Sequence, residues 1–266
     1  MIFVYFALVL AFVWSPLLVH GQVAASIANT PEVGECPPGF SLVRQAGVPP
    51  HQRLSTSERT YLQARQDKVL PGAWKSYLAN VGNTNIPLPH YVSKILNGRG
   101  DTTPKLAIAM SGGSYRAALF DAGVLNVLDG RNSTSARIGT GGLLQAATYL
   151  TSLSSSTWFL TSLLQADFPP IHDVIFGTNS SDGYSGWLTQ FGILAPTNNS
   201  TQTDVYFAGL VAEITGKLKA GFPVTFADVW ARTLARHFLN GTTAANFFDN
   251  SSLHGAGVTL SGLANL

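Results

Sequence analysis

From Lys105 the chain reads KLAIAM, a short unbroken apolar run of the length of a buried strand. It passes through SGGS into YRAALFDAGVLNVLDG, where Tyr115, Leu119, Ala122 and Leu125 recur on one helical face. A buried strand, a glycine turn and an apolar helix in that order begin a βαβ-type layered fold, so the predicted class is α/β, a layered sheet with flanking helices. GGLLQAATYL predicts another apolar helix, which leads into TSLSSSTWFL at residues 151–160. Upstream, STSERTYLQARQDKVL predicts a helix capped by Ser55, with Glu58 three residues on and Tyr61, Leu62 and Ala64 at helical spacing. PGAWKSYLANV predicts a second, with Pro71 near its start. The stretches TPEVGECPPGF, QAGVPPHQRL and GNTNIPLPHYV read as loops. Beyond Trp158 the pattern loosens through TNSSDGYSGW and LAPTNNSTQT, then returns to helix in VYFAGLVAEITGKL and FADVWARTLARHFL. No internal repeat is visible.

Composition narrows the picture. A chain of 266 residues with 45% apolar and 11% charged side chains is globular and long enough for a sizeable core. A net charge of +2 with no Lys/Arg run excludes an electrostatic nucleic-acid partner. The N-terminus, MIFVYFALVLAFVWSPLLVHGQVAAS, is apolar, broken by Pro16 and followed by small residues. It predicts a cleaved signal peptide over residues 1–21, in preference to a membrane anchor, since no Lys or Arg occurs before Arg44. Asn132, Asn179, Asn198, Asn199, Asn240 and Asn250 each begin an Asn-X-Ser/Thr sequon, so a secreted or cell-surface glycoprotein is expected, with sugars supplying the solubility that charge does not. Cys36 is the only cysteine, which is unusual for an oxidising compartment and predicts a buried free thiol or a partner on chain not included.

Two stretches could carry chemistry. SGGSYR follows a strand and opens a helix, where unpaired backbone amides attract negative charge and glycines permit close approach. That geometry suits a phosphate or an oxyanion hole, with Arg116 able to hold a phosphate oxygen; the plainer reading is a tight turn with a surface arginine. A P-loop is excluded by the glycine spacing and the missing Lys-Ser/Thr. In Ser152-Leu153-Ser154-Ser155-Ser156, Ser154 occupies the centre of a nucleophile elbow whose two usual glycines are absent. Ser185 and Ser261 each have one glycine neighbour but no preceding strand and read as loop residues. His90, His172, His237 and His254 lack metal-ligand spacing, and no cofactor site is indicated.

The pair AIAMSGGSYRAALFDAGVLNVLD and GGLLQAATYLTSLSSSTWFLTSLL resembles the fungal lysophospholipase/phospholipase B family, related to the cytosolic phospholipases with a Ser–Asp dyad. That family shows S-G-G-G-[YF]-R-A, a helix ending near L-D-x-R, then G-L-L-x-x-x-T-Y-x-x-G-L-S-G-[GS]-[ST]-W. LDGR, GGLLQAATYL and STWF match in order and spacing, and CPPGFSLVRQA and LSTSERTYLQAR resemble the family's N-terminal pattern. The resemblance runs from Cys36 to the end. It implies a patatin- and cytosolic-phospholipase-like sheet, incomplete here, with residues 22–266 forming the N-terminal part of a catalytic domain. It implies Ser154 as nucleophile, Gly113 and Ser114 as oxyanion-hole residues with Gly112 beside them, and Arg116 at the substrate phosphate. The implied partners are a phospholipid or lysophospholipid at a micelle or membrane surface.

Departures from the pattern set further expectations. Ser152, Ser155 and Ser114 stand where the family has glycine, and a Cβ at a crowded or positive-φ position costs about 1–2 kcal/mol. The family's aspartate base lies far downstream in a D-G-G setting; Asp129 and Asp182 precede glycine here, but sit at a helix end and in a polar loop and do not fit. A chain stopping partway through its catalytic domain is therefore expected. The activity implied is acyl-ester hydrolysis through a serine acyl-enzyme. The alternative is a noncatalytic secreted lipid-binding glycoprotein; a Ser-His-Asp esterase would need a downstream histidine, and the resemblance argues against it.

Overall fold

The computed structural model describes residues 26–27, 30–36, 38–39, 41, 43–97, 103–178 and 186–239. The expected signal segment 1–21, the sequons at Asn179, Asn240 and Asn250, and Asp182, Ser185, His254 and Ser261 lie outside them. The chain forms two compact units, one from Glu35–Leu160 and the other from Met1–Gly34 with Thr161–Leu266.

The first unit opens with helices α1 (Thr56–Lys68) and α2 (Leu70–Gly82). The Ser55 hydroxyl caps α1 by accepting from the Glu58 amide, as the spacing predicts, and Pro71 stands in the first turn of α2, where its missing N–H is harmless. A short helix α3 (Val92–Asn97) follows the loop; the sequence pattern did not announce it. Strand β1 (Leu106–Met110) feeds helix α4 (Ser114–Leu128), which buries Ala118, Ala122 and Leu125. Leu119, expected on the inward face, is instead 42% exposed, because the buried stripe runs through Ala118.

Helices α5 (Ser133–Arg137) and α6 (Leu143–Ala146) return the chain to strand β2 (Ala147–Ser152). This corrects the helix expected across GGLLQAATYL, which is one turn of helix and then a strand. Helical propensity there is overridden by pairing: β2 lies parallel to β1, with Ala107 opposite Tyr149 and Met110 opposite Ser152. The sheet among the described residues has these two strands, so β1 is not the buried strand its apolar run suggests; Ala107 and Ala109 are exposed.

Polar side chains hold β2 in place. From α1, the Arg65 guanidinium donates to the carbonyls of Gln145 (2.9 Å) and Ala147 (3.1 Å from Nε), groups left over where α6 ends and the strand begins. Glu58 on the same helix accepts from the Tyr149 hydroxyl at 2.8 Å. Gln145 accepts from the Gly130 amide (2.9 Å) and donates to Asp129 (2.8 Å), which also pairs with Arg131 at 2.7 Å. Burial works to raise the Asp129 pKa, but the hydrogen bonds from Arg131 and Gln145 outweigh it and hold the carboxyl below its usual range. Asp129 thus closes the α4–α5 corner, consistent with its reading as a helix-end residue. Gly142 caps α6 at φ +115°, where a Cβ would come within 3.1 Å of Tyr77 in α2.

Helix α7 (Ser155–Gln165) starts in this unit and runs past its boundary. The second unit adds α8 (Ile171–Phe176), α9 (Ser200–Lys219) and α10 (Phe226–Phe238). Tyr206 and Leu210 centre its core, with Phe207, Ile214, Val229 and Ala235 against them. Asn199 caps α9, and Thr225 with Asp228 forms a capping box on α10. Arg232 pairs with the buried Glu213 at 2.9 Å, and Lys217 with Asp228, tying the two helices together. His237 is buried and donates from Nδ1 to the Thr233 carbonyl at 2.7 Å; burial pushes its pKa down, so it is a packed neutral histidine. Cys36 is exposed, not buried.

Candidate active site

Parallel pairing of Met110 with Ser152 makes both strands release the chain at the same end of the sheet. That end, beyond the strand carboxyl termini, is where open α/β sheets place their ligands. The ladder continues one step further, with the Leu153 amide donating to the Met110 carbonyl at 3.1 Å. Ser154 then turns the chain at φ +54°, in the left-handed region, and α7 begins at Ser155. The Ser156 and Thr157 amides bond back to the carbonyls of Leu153 and Ser154, at 3.3 and 2.9 Å. Ser154 is therefore an exposed serine at a left-handed strand-to-helix turn. Holding a residue with a Cβ at positive φ costs about 1–3 kcal/mol, and such strain persists only where the surroundings impose it.

The glycine turn faces this serine. A methyl group built on Gly112 would lie 2.5 Å from Ser154 Cβ and 3.1 Å from its Oγ. Glycine at 112 is what lets the two turns touch. Two hydroxyls stitch them. Ser156 Oγ lies 2.6 Å from the Ser111 carbonyl and also bonds the Asp121 carboxylate on α4. Ser155 Oγ accepts from the Gly113 amide at 3.2 Å.

Ser114, the first residue of α4, has φ +64°, and no side chain caps this helix, so its first-turn amides open toward the same end. Ser114 and Arg116 are both exposed, and Arg116 makes no ion pair among the described residues. Tyr115 packs edge-on to Trp158 with ring centroids 6.0 Å apart, and burial pushes its phenol up to about 12.

Of the three serines at family-glycine positions, Ser114 alone is at positive φ. Ser152 is an ordinary strand residue whose hydroxyl bonds Thr157 Oγ1 at 3.1 Å, and Ser155 is helical. The strain expected at those two positions is therefore absent. Among the described residues no carboxylate or imidazole hydrogen-bonds to Ser154 Oγ, and no group of three or more His, Cys, Asp and Glu side chains is arranged to hold a metal. Sequence reasoning passed over Asp121; its signal was a lone charge inside the apolar run AALFDAGVL.

Mixed α/β architecture with a small parallel sheet, and a serine turn set against a glycine turn at its carboxyl end, define the class of this molecule. The family model for the lysophospholipase catalytic domain matches residues 106–261. The chain belongs to that family. It is 32% identical to Lysophospholipase 2 of Saccharomyces cerevisiae over 232 residues, which is 84% of this chain and 32% of that protein. It is 33% identical to Lysophospholipase 1 of the same organism over 226 residues (85% of the chain, 31% of the relative). Lysophospholipase 2 of Aspergillus fumigatus is 29% identical over 229 residues (84% and 37%). The chain thus spans about one third of the length of these relatives. No solved structure matches it.

Proposed function

We propose that this chain carries the nucleophilic part of a lysophospholipase, and that Ser154 is the attacking residue. The carrying observation is an exposed serine at φ +54° whose Oγ lies 3.1 Å from where a methyl on Gly112 would stand. Ser154 Oγ adds to the acyl carbonyl of a lysophospholipid, and the carbonyl oxygen becomes an oxyanion. In this reading main-chain amides of the 112–114 turn are the donors that stabilise it. The tetrahedral intermediate collapses as the glycerophospho group leaves as an alcohol, its oxygen taking up a proton in place of the one the Ser154 hydroxyl gave up. Water then cleaves the acyl-enzyme and releases the fatty acid. Arg116, exposed two residues beyond the turn, takes the phosphate side of the substrate. Diacyl phospholipids are a second substrate class in this reading, which also takes the two-stranded parallel sheet as part of a patatin- and cytosolic-phospholipase-type arrangement. A secreted or cell-surface glycoprotein that works on a micelle or membrane surface fits the apolar leader and the sequons.

A noncatalytic lipid binder is the second reading, favoured by the absence, among the described residues, of a base bonded to Ser154. Fatty-acid release from lysophosphatidylcholine by the purified chain, with Ser154→Ala as control, separates the two. Release that falls to background in the variant supports the nucleophile. Equal release by both removes Ser154 from the chemistry, and micelle binding without release by either establishes the second reading.

A further inference from the structure

Ser155 follows the reacting serine, is fully buried, and is a hydroxyl where the family pattern has glycine. Its Oγ receives the Gly113 N–H at 3.2 Å. An amide has one hydrogen and donates along one direction; aimed at a buried hydroxyl, it is not aimed at an oxyanion beyond it. The neighbouring hydroxyl reinforces this arrangement, since Ser156 Oγ lies 2.6 Å from the Ser111 carbonyl. Two consecutive serines of α7 thereby hold the carbonyl entering the glycine turn and the amide leaving it, fixing how its peptides are rotated. Gly113 itself is at φ +156°, a conformation side-chain-bearing residues rarely adopt.

We propose that the Ser155 hydroxyl is an internal stand-in for the oxyanion: it occupies the Gly113 amide in the resting site and withholds it from substrate. Ser155 is then a positioning residue, acting on the reaction through Gly113. The inference rests on the reading of Ser154 as nucleophile. It makes oxyanion stabilisation in this chain depend on breaking one internal hydrogen bond, and it gives the family-glycine position a defined role. Loss of one oxyanion donor costs on the order of 100- to 1000-fold in rate, so restoring one has ample room to show.

The test is the second-order rate at which a long-chain alkyl fluorophosphonate labels the whole chain. The Ser154 oxygen forms the P–O bond, fluoride leaves, the serine proton goes to solvent, and the P=O oxygen takes the place of the oxyanion. Ser155→Ala and Ser155→Gly are expected to label at least tenfold faster than the parent, with the change in the limiting rate and not in half-saturation. Hydrogen exchange at the Gly113 amide, read by NMR, gives an independent measure: protected in the parent, at least tenfold faster in Ser155→Ala. Ser155→Ala labelling at or below the parent rate overturns the proposal. So does a Gly113 amide that exchanges at the free-peptide rate in the parent, a reading that needs no variant to fold. Labelling that survives in Ser154→Ala sinks the nucleophile reading instead, so the two failures are distinguishable.

Discussion

Replacing Gly112 by alanine tests the closeness of the two turns directly. The new Cβ would stand 2.5 Å from Ser154 Cβ and 3.1 Å from the Leu153 carbonyl oxygen. Carbon atoms are comfortable at about 3.5–4.0 Å, so one turn has to retreat by roughly 1 Å. Overpacking of this kind costs about 1–3 kcal/mol, and a displacement of about 1 Å at a reacting centre costs roughly 100-fold in rate. Gly123 is the matched control. It lies inside α4, its added Cβ meets nothing within 4 Å, and its replacement by alanine should stabilise the chain by about 0.5–1 kcal/mol. Urea unfolding of both variants gives the stability change, and the fluorophosphonate labelling rate gives the effect at Ser154. The expected pattern is opposite signs: Gly112→Ala less stable and labelled about 100-fold more slowly, Gly123→Ala more stable and labelled like the parent. If Gly112→Ala matches the parent in both, the turns do not touch and the site as described is wrong.

Arg65→Ala strips donors from the Gln145 and Ala147 carbonyls; each hydrogen bond from a charged group contributes about 1.5–3 kcal/mol, so a loss of about 3 kcal/mol is expected in chemical denaturation. Asp129→Ala removes the acceptor that Arg131 and Gln145 share and should destabilise by about 1–3 kcal/mol at neutral pH. Because the folded Asp129 pKa is depressed, its contribution is present above the unfolded value and lost as pH falls through the folded one. The gap between parent and variant should therefore begin to narrow below about pH 4 and close once the pH passes below the depressed folded value; a gap that does not narrow on that descent refutes the assignment. Asn132 uses Oδ1 to cap α5 and Nδ2 to reach the Asn126 carbonyl at 3.2 Å, whereas Asn199 caps α9 through Oδ1 alone and is exposed. Chain secreted from a glycosylating host should carry sugar at Asn198 or Asn199 and not at Asn132. Glycopeptide mass spectrometry decides, and a folded chain occupied at Asn132 refutes it.

The strand, turn and helix that build the candidate site were legible in local pattern, for physical reasons. KLAIAM, SGGS and the helix after it are decided by neighbours a few positions apart, and their order alone places a glycine turn at a strand end. Ser55 as a cap and Pro71 in a first turn are likewise local chemistry. What failed to show was set by distant partners. Nothing within GGLLQAATYL says that Ala147–Ser152 pairs with a strand some forty residues earlier, and its alanines and leucines favour helix. The burden expected from Ser152 and Ser155 was misplaced for a related reason. Glycine at a family position implies a crowded or positive-φ backbone, but the left-handed residue of this turn is Ser154 itself, and Ser155 enters a helix. The gain of a hydroxyl, not the loss of backbone freedom, is what that substitution changes.

The grip of Arg65 on the start of β2 has a consequence for how the chain is assembled. Helix α1 precedes the region that the family model matches, yet it supplies the charge that anchors the strand leading to Ser154. During synthesis the guanidinium emerges from the ribosome about eighty residues ahead of the carbonyls it will hold. The clamp is thus waiting when the strand arrives. A polypeptide begun at Leu106 would keep β1 as that strand's partner but lose the guanidinium that holds its start.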